Sequence, residues 1–219
     1  MKTAAAGLLF ALLAAAAAQT TPDGANSDPL VAQRRTAMVL RQSTKLYEAG
    51  EYQAALDRLA ALQGQAGQDL SVLNLRGAIL TKMKQYDEAR RIFESILATD
   101  PSFFPAAYNM GEAEFLSGNY DAATEAFDGM LRRDPRNELV RFKLVLCALA
   151  AGREEEAQRL AGALLPTGNT PAWYYAQAVF ARRAGDEAKA RKNLAAARAL
   201  HGEEGCRLFD ESLAALPGG

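Results

Sequence analysis

The sequence predicts an all-α protein of stacked helix pairs, an α-solenoid. Tyr52, Tyr86 and Tyr120 recur at intervals of 34 residues, and Ala55, Ala89, Ala123 and Ala157 keep the same interval. Gly77 and Gly111, Phe93 and Phe127, and the pairs Asp100-Pro101 and Asp134-Pro135 share that register. Between these marks apolar residues fall at i, i+4 and i+7, the stripe of a helix with one buried face. A fixed period of this length marks an array in which each unit buries its face against its neighbours.

The first 18 residues stand apart from the array. Lys2 gives a positive start, Ala4 to Ala15 form an apolar run too short to anchor stably in a bilayer, and Ala16-Ala17-Ala18 supplies a small-residue cleavage pattern before Gln19. Residues 1–18 therefore read as a secretory signal peptide. The expectation is an exported protein, periplasmic or secreted, with no transmembrane anchor after cleavage. No cysteine follows the apolar run, which argues against a lipoprotein. Residues 19–28, rich in Thr, Pro, Gly, Asn and Asp, read as a disordered leader.

Asp28-Pro29 reads as an N-cap followed by Pro at the first helical position, opening an array over residues 29–201. The first unit keeps Leu46, Gly50, Tyr52, Ala55 and Leu59, with Ser43 where later units carry glycine. In the second unit Leu73, Gly77 and Leu80 form the first-helix stripe, Lys84-Gln85-Tyr86 the turn, and Ala89, Phe93 and Ile96 the facing stripe. Gly77 and Ala89 are small where the paired helices approach, and Phe93 fills the gap between them. Asp100-Pro101 ends the second helix, because proline disfavours helix at the residue before it. The third unit repeats this plan with Gly111, Gly118, Tyr120, Ala123, Phe127 and Pro135.

The fourth unit keeps Gly152, Ala157 and Leu164, with Val145 and Glu154 replacing the glycine and tyrosine. Its first helix, Phe142 to Ala151, is almost wholly apolar. Glu154-Glu155-Glu156 opens the second helix, where acidic residues complement the helix dipole. A fifth unit, Thr170 to His201, keeps Gly185 and Ala190 after a one-residue deletion, and Thr170-Pro171 reads as its N-cap plus first helical residue. Residues 202–219 read as a capping helix and tail, with Leu208, Leu213 and Leu216 as the apolar positions of the helix.

These marks, in this order, resemble the tetratricopeptide repeat (TPR) over about residues 29–201. The resemblance implies a right-handed α-solenoid of about five helix pairs plus a C-terminal capping helix, with the first helices lining a concave side. It implies a non-enzymatic scaffold or adaptor of the bacterial cell envelope that holds a peptide or protein in that groove. Positions one residue beyond the packed stripe are turned by roughly 100° and are expected to face the groove. The candidate partner-binding residues are Tyr47, Asn74, Tyr108, Glu112, Phe115, Phe142, Tyr175 and Arg182. An alternative is a binding module for a glycan or small apolar ligand, with Tyr108, Phe142 and Tyr175 as its platform. Some TPR proteins grip a partner's C-terminal carboxylate with lysine, asparagine and arginine. Asn74, Asn109 and Lys143 match part of that pattern, but Ala78 and Leu139 leave it incomplete. The aromatic run Trp173-Tyr174-Tyr175 departs from the generic repeat and reads either as core packing or as a specificity element.

Composition narrows the classes. The net charge is −1, or −2 once Lys2 is removed, which excludes the general basic footprint of a nucleic-acid binder. The pairs Arg34-Arg35, Arg90-Arg91, Arg132-Arg133 and Arg182-Arg183 fall at different register positions and read as solvated helix faces. His201 is the only histidine, so no histidine cluster is available to a metal, and its place at a helix end suits the last carbonyls. No glycine-rich phosphate loop and no G-x-S-x-G elbow occurs. No catalytic residue, metal or cofactor is expected. Cys147 and Cys206 read as two free thiols, with Cys147 buried.

Overall fold

A computed structural model describes residues 29–217, and all regular structure among them is helical. The expected signal peptide, leader and Asp28 cap lie outside the described residues. Ten α-helices run in order: α1 Pro29–Glu48, α2 Tyr52–Ala60, α3 Leu70–Lys82, α4 Tyr86–Thr99 and α5 Phe104–Leu116. They continue as α6 Tyr120–Arg133, α7 Glu138–Ala150, α8 Glu154–Ala161, α9 Ala172–Arg183 and α10 Glu187–Ala214. A short 3-10 turn, Gly64–Gln68, joins α2 to α3. The chain divides between Asn109 and Met110 into two compact units, the boundary falling within α5.

The turn inside each pair has one recurring solution. After α1, α3, α5, α7 and α9 a residue takes the left-handed conformation: Gly50, Lys84, Gly118, Gly152 and Gly185. In the second pair the Lys84 amide donates to the Thr81 carbonyl at 3.0 Å and the Gln85 amide to that of Leu80 at 2.9 Å. The same two bonds close each of the other four turns, for example Gly118 to Phe115 at 3.1 Å and Asn119 to Glu114 at 2.9 Å. This is the Schellman arrangement, which satisfies carbonyls the helix end leaves open. A left-handed backbone suits glycine, so four of the five sites have it. Lys84 is the exception, with φ 63°.

Within unit one, helices α1, α2 and α3 share a core that includes Val39, Tyr47, Ala55, Leu59, Val72, Leu75 and Ile79. Gly77 accounts for the close approach of α3 and α4. A Cβ built there would lie 2.5 Å from the Phe93 ring. Unit two repeats the device between α5 and α6, where a Cβ on Gly111 would lie 2.7 Å from the Phe127 ring. The Asp-Pro breaks fall where the sequence places them. The Asp100 carboxylate accepts from the Ser102 amide at 2.9 Å and hydroxyl at 2.6 Å, turning the chain after α4. Ser43 is fully buried, a small residue in the glycine's place.

In unit two α7 packs against α6, α8, α9 and α10, and every residue from Phe142 to Leu149 is buried. The start of α9 differs slightly from expectation. Pro171 is itself the N-cap, and the helix begins at Ala172. Thr170 is instead held by Glu138 at the start of α7, its amide and hydroxyl donating to Oε2 at 2.9 and 2.7 Å. The residues expected to form a capping helix lie in the second limb of α10, which bends at Gly202 (φ 71°, ψ 170°). Its buried apolar residues are Cys206, Phe209 and Leu213, spaced i, i+3, i+7, and Leu216 is buried just beyond the helix end. Leu208, expected among them, is only half-buried, because it sits one position off the stripe.

Candidate functional site

Six of the eight candidate groove residues are buried rather than open to a partner: Tyr47, Asn74, Tyr108, Phe115, Phe142 and Tyr175. Glu112 and Arg182 are half-buried. A side chain turned roughly 100° from the helix-pair contact still meets the first helix of the next pair. In unit one Asn74 on α3 accepts from Asn109 Nδ2 on α5 at 3.0 Å. Tyr47 lies 5.8 Å from Tyr52, and Tyr108 stacks at 6.4 Å on the exposed ring of Phe104.

In unit two Glu112 on α5 pairs with Lys143 Nζ on α7 at 2.6 Å, with Lys143 only 3% exposed. Asn74, Asn109 and Lys143 thus have internal partners, and no carboxylate clamp is assembled from them. Phe115 packs 5.5 Å from Tyr120. Arg182 reaches Glu187 at 4.0 Å.

Phe142 on α7 and Tyr175 on α9 meet a different neighbour. The second limb of α10 lies against both helices, and Phe209 places its ring 5.4 Å from each of the two rings. Phe142 and Tyr175 are themselves 6.1 Å apart, edge to face, so the three aromatics form one cluster. The next residue of the limb supplies the polar contact. The Tyr175 hydroxyl donates to Asp210 Oδ1 at 2.6 Å, and Arg198 Nη2 donates to both Asp210 oxygens at 3.0 and 3.1 Å. Burial, with the Asp210 carboxylate beside it, pushes the Tyr175 phenol well above its ordinary value, so the hydroxyl remains a donor. Arg198 also reaches Glu203 at 3.4 Å, just past the bend. Phe209, Asp210 and Arg198 were not singled out in the sequence. The signal available was the Cys206, Phe209, Leu213 spacing, which gives the helix's apolar face directly.

The aromatic run on α9 separates into three directions. Tyr175 joins the cluster. Tyr174 lies 6.3 Å from His201, at the end of the first limb of α10. Trp173 and Phe180 line a cleft of about 640 Å³ beside α8, with Leu164 and Gln177. Arg183 and Glu154 pair there at 3.3 Å. Cys147 is buried in α7, and burial pushes its thiol up to about 12. Cys206 is also free and buried, and its thiol is likewise raised, chiefly by burial. Among the described residues no helix is long and apolar enough to cross a membrane.

Stacked helix pairs, closed by repeated turns and presenting a face that already holds a helix, define an interaction scaffold. Residues 46–114, 80–128 and 114–180 match the family described as Tetratricopeptide repeat, together spanning more than half of the chain. The chain belongs to the tetratricopeptide repeat family. Solved structures share the fold. A tetratricopeptide repeat protein from Parabacteroides merdae is 17% identical, with a TM-score of 0.66 over 83% of this chain and 70% of that one. MamA from Desulfovibrio magneticus RS-1 is 17% identical, with a TM-score of 0.57 over 76% of this chain and 94% of that one. MamA of AMB-1 is 22% identical, with a TM-score of 0.53 over 79% of this chain and 93% of that one. The family's helix pairs serve as scaffolds for protein–protein contact, which is the function class of this chain.

Proposed function

We propose that this protein is a non-enzymatic adaptor of the bacterial cell envelope that receives a peptide or protein on the face formed by its first helices. The observation that carries the reading is the docking of the α10 second limb on α7 and α9, where Phe142 and Tyr175 take an aromatic and Tyr175 and Arg198 take a carboxylate. A face of that composition suits a helical or extended protein segment. The glycan reading gains nothing from Tyr108, Phe142 and Tyr175, because all three are buried and leave no open ring face for a sugar. Export is supported by the sequence of residues 1–18.

Two measurements test the reading. Intact mass of the native protein should give a mature chain beginning at Gln19, and a cytosolic chain retaining Met1 would sink the envelope assignment. A photo-crosslinking residue at Arg182 should capture a discrete envelope protein, while one at exposed Ala122 on α6 should not. Capture from Ala122 alone would place the partner on the second-helix side.

A further inference from the structure

We propose that the α7–α9 face of unit two is a helix-binding site and that the second limb of α10 is its resident, displaceable ligand. The partner is then an amphipathic helix bearing an aromatic residue followed directly by a carboxylate, with a leucine four positions after the aromatic. This inference rests on the adaptor reading and specifies its site and ligand class.

The pattern comes from what the face already holds. Phe209 fills the space between Phe142 and Tyr175, Asp210 meets Tyr175 and Arg198, and Leu213 is buried one turn further on. The anchors therefore lie along one helix edge, as in a helix laid into a groove. The charges are complementary. Arg198 is on the first limb of α10 and Tyr175 is on α9, so both remain when the second limb leaves, and together they require an anion. The joint is Gly202, whose left-handed φ of 71° separates the limbs and suits glycine over any side chain. Glu203, Glu204 and Gly205 beyond it are exposed, and the contact from the first limb to this stretch is the solvent-facing Arg198–Glu203 pair at 3.4 Å.

The limb carries one buried thiol, Cys206, and α7 carries the other, Cys147, which lies toward Thr124 on α6. A thiol reagent under native conditions therefore reads two openings in one chain. Departure of the limb exposes Cys206, whereas Cys147 requires α7 itself to open. In the full-length chain Cys206 should react at least about tenfold faster than Cys147, since local opening costs less than opening of the unit. A synthetic peptide of residues 203–216 carrying Cys206→Ala should accelerate Cys206 labelling saturably, by trapping the open face, and leave Cys147 unchanged. The same peptide with Phe209→Ala in addition should not. Equal rates for the two cysteines would overturn the proposal, because the limb would then be an inseparable part of the core. Fast Cys206 labelling that ignores the peptide would overturn it too, since the face would not accept a helix in trans. Rates that change with protein concentration would assign the face to the limb of a second copy and reject a partner helix. Failure to capture an envelope protein leaves these rates untouched and counts against the adaptor reading alone.

Discussion

Gly111→Ala tests the helix-pair contact, and Gly129→Ala is its internal control. Both glycines lie inside helices, Gly111 in α5 and Gly129 in α6, and both belong to unit two. In an unobstructed helix interior, alanine gains about 0.8–1 kcal/mol over glycine. At Gly129 the new methyl would meet only Arg132 Nη2, at 3.6 Å, an ordinary contact with a flexible side chain. That variant should gain close to the full propensity term. At Gly111 the methyl would lie 2.7 Å from both Cε1 and Cζ of Phe127 and 3.1 Å from Cδ1. Carbon atoms prefer separations of about 3.5–4.0 Å, so the ring must retreat by roughly 1 Å. Phe127 is fully buried, so in a close-packed interior its ring retreats only by displacing its own neighbours. Overpacking of this kind costs about 1–3 kcal/mol, which cancels or exceeds the helical gain. The two variants should therefore differ by about 1–3 kcal/mol, with Gly129→Ala the more stable. Trp173, the only tryptophan, lies on α9 in unit two, so urea melts followed by its fluorescence report the relevant unit. Adding Phe127→Leu should shrink the Gly111→Ala penalty, with a coupling of about 0.5–3 kcal/mol between the two sites. Equal stabilisation by both alanines would mean that the ring does not rest on Gly111, and the account of the close approach would fail.

Lys84→Gly should stabilise unit one by about 0.5–1 kcal/mol, because relief of a left-handed non-glycine residue exceeds the added unfolded-state entropy. A chemical melt of that variant with no gain would show that the turn is unstrained. Ala123→Leu should cost about 1–3 kcal/mol at its fully buried position, whereas Ala122→Leu, exposed one residue earlier, should stay within about 0.5 kcal/mol. Similar melts for both would place the packing face elsewhere on α6. Cys147 links stability to alkaline pH, its thiol being raised from 9.0 to about 12 in the folded chain. Above the lower value the unfolded state loses its proton first, so the folded state binds more protons and stability falls as pH rises from 9.0 towards 12. Cys147→Ala should lose less stability than the parent between those limits, and parallel pH profiles would refute the linkage.

The repeat plan was legible because each of its marks answers to one local constraint. A left-handed turn favours glycine, a close helix crossing favours a small residue, and a helix end is set by Asp-Pro. Gly118, Gly111, Ala123 and Asp134-Pro135 occupy those places in the structure as the 34-residue register demands. Lys84 shows the limit of reading such marks by residue type. Its position is fixed by the two turn hydrogen bonds, not by its side chain, and the register places it where a glycine search would pass it over. The Thr170-Pro171 start differs by one residue: Pro171 takes the N-cap position, and Thr170 Oγ1 accepts from the Ala172 amide at 3.4 Å while the Thr170 amide and hydroxyl donate to Glu138.

For the candidate site residues, direction along the helix was legible in the sequence and burial was not, for a physical reason. Helical spacing fixes where a side chain points relative to its own axis, and it picked Phe142 and Tyr175 as neighbours on successive first helices, which they are. Exposure depends on what the rest of the chain places in front of them, and no periodicity within one helix carries that information. The residues that settle it, Phe209 and Asp210, lie 34 and 35 positions beyond Tyr175, across the Gly202 bend. An aromatic pair on first helices, a buried tyrosine hydroxyl and an arginine with no acidic partner in its own helical turn are each unremarkable alone. Together they require an aromatic and a carboxylate from elsewhere, and the limb after Gly202 offers both at adjacent positions. Burial of Phe142 and Tyr175 is therefore compatible with their being a binding surface, because the ring that packs on both of them, Phe209, belongs to a helix joined to the rest through the Gly202 bend.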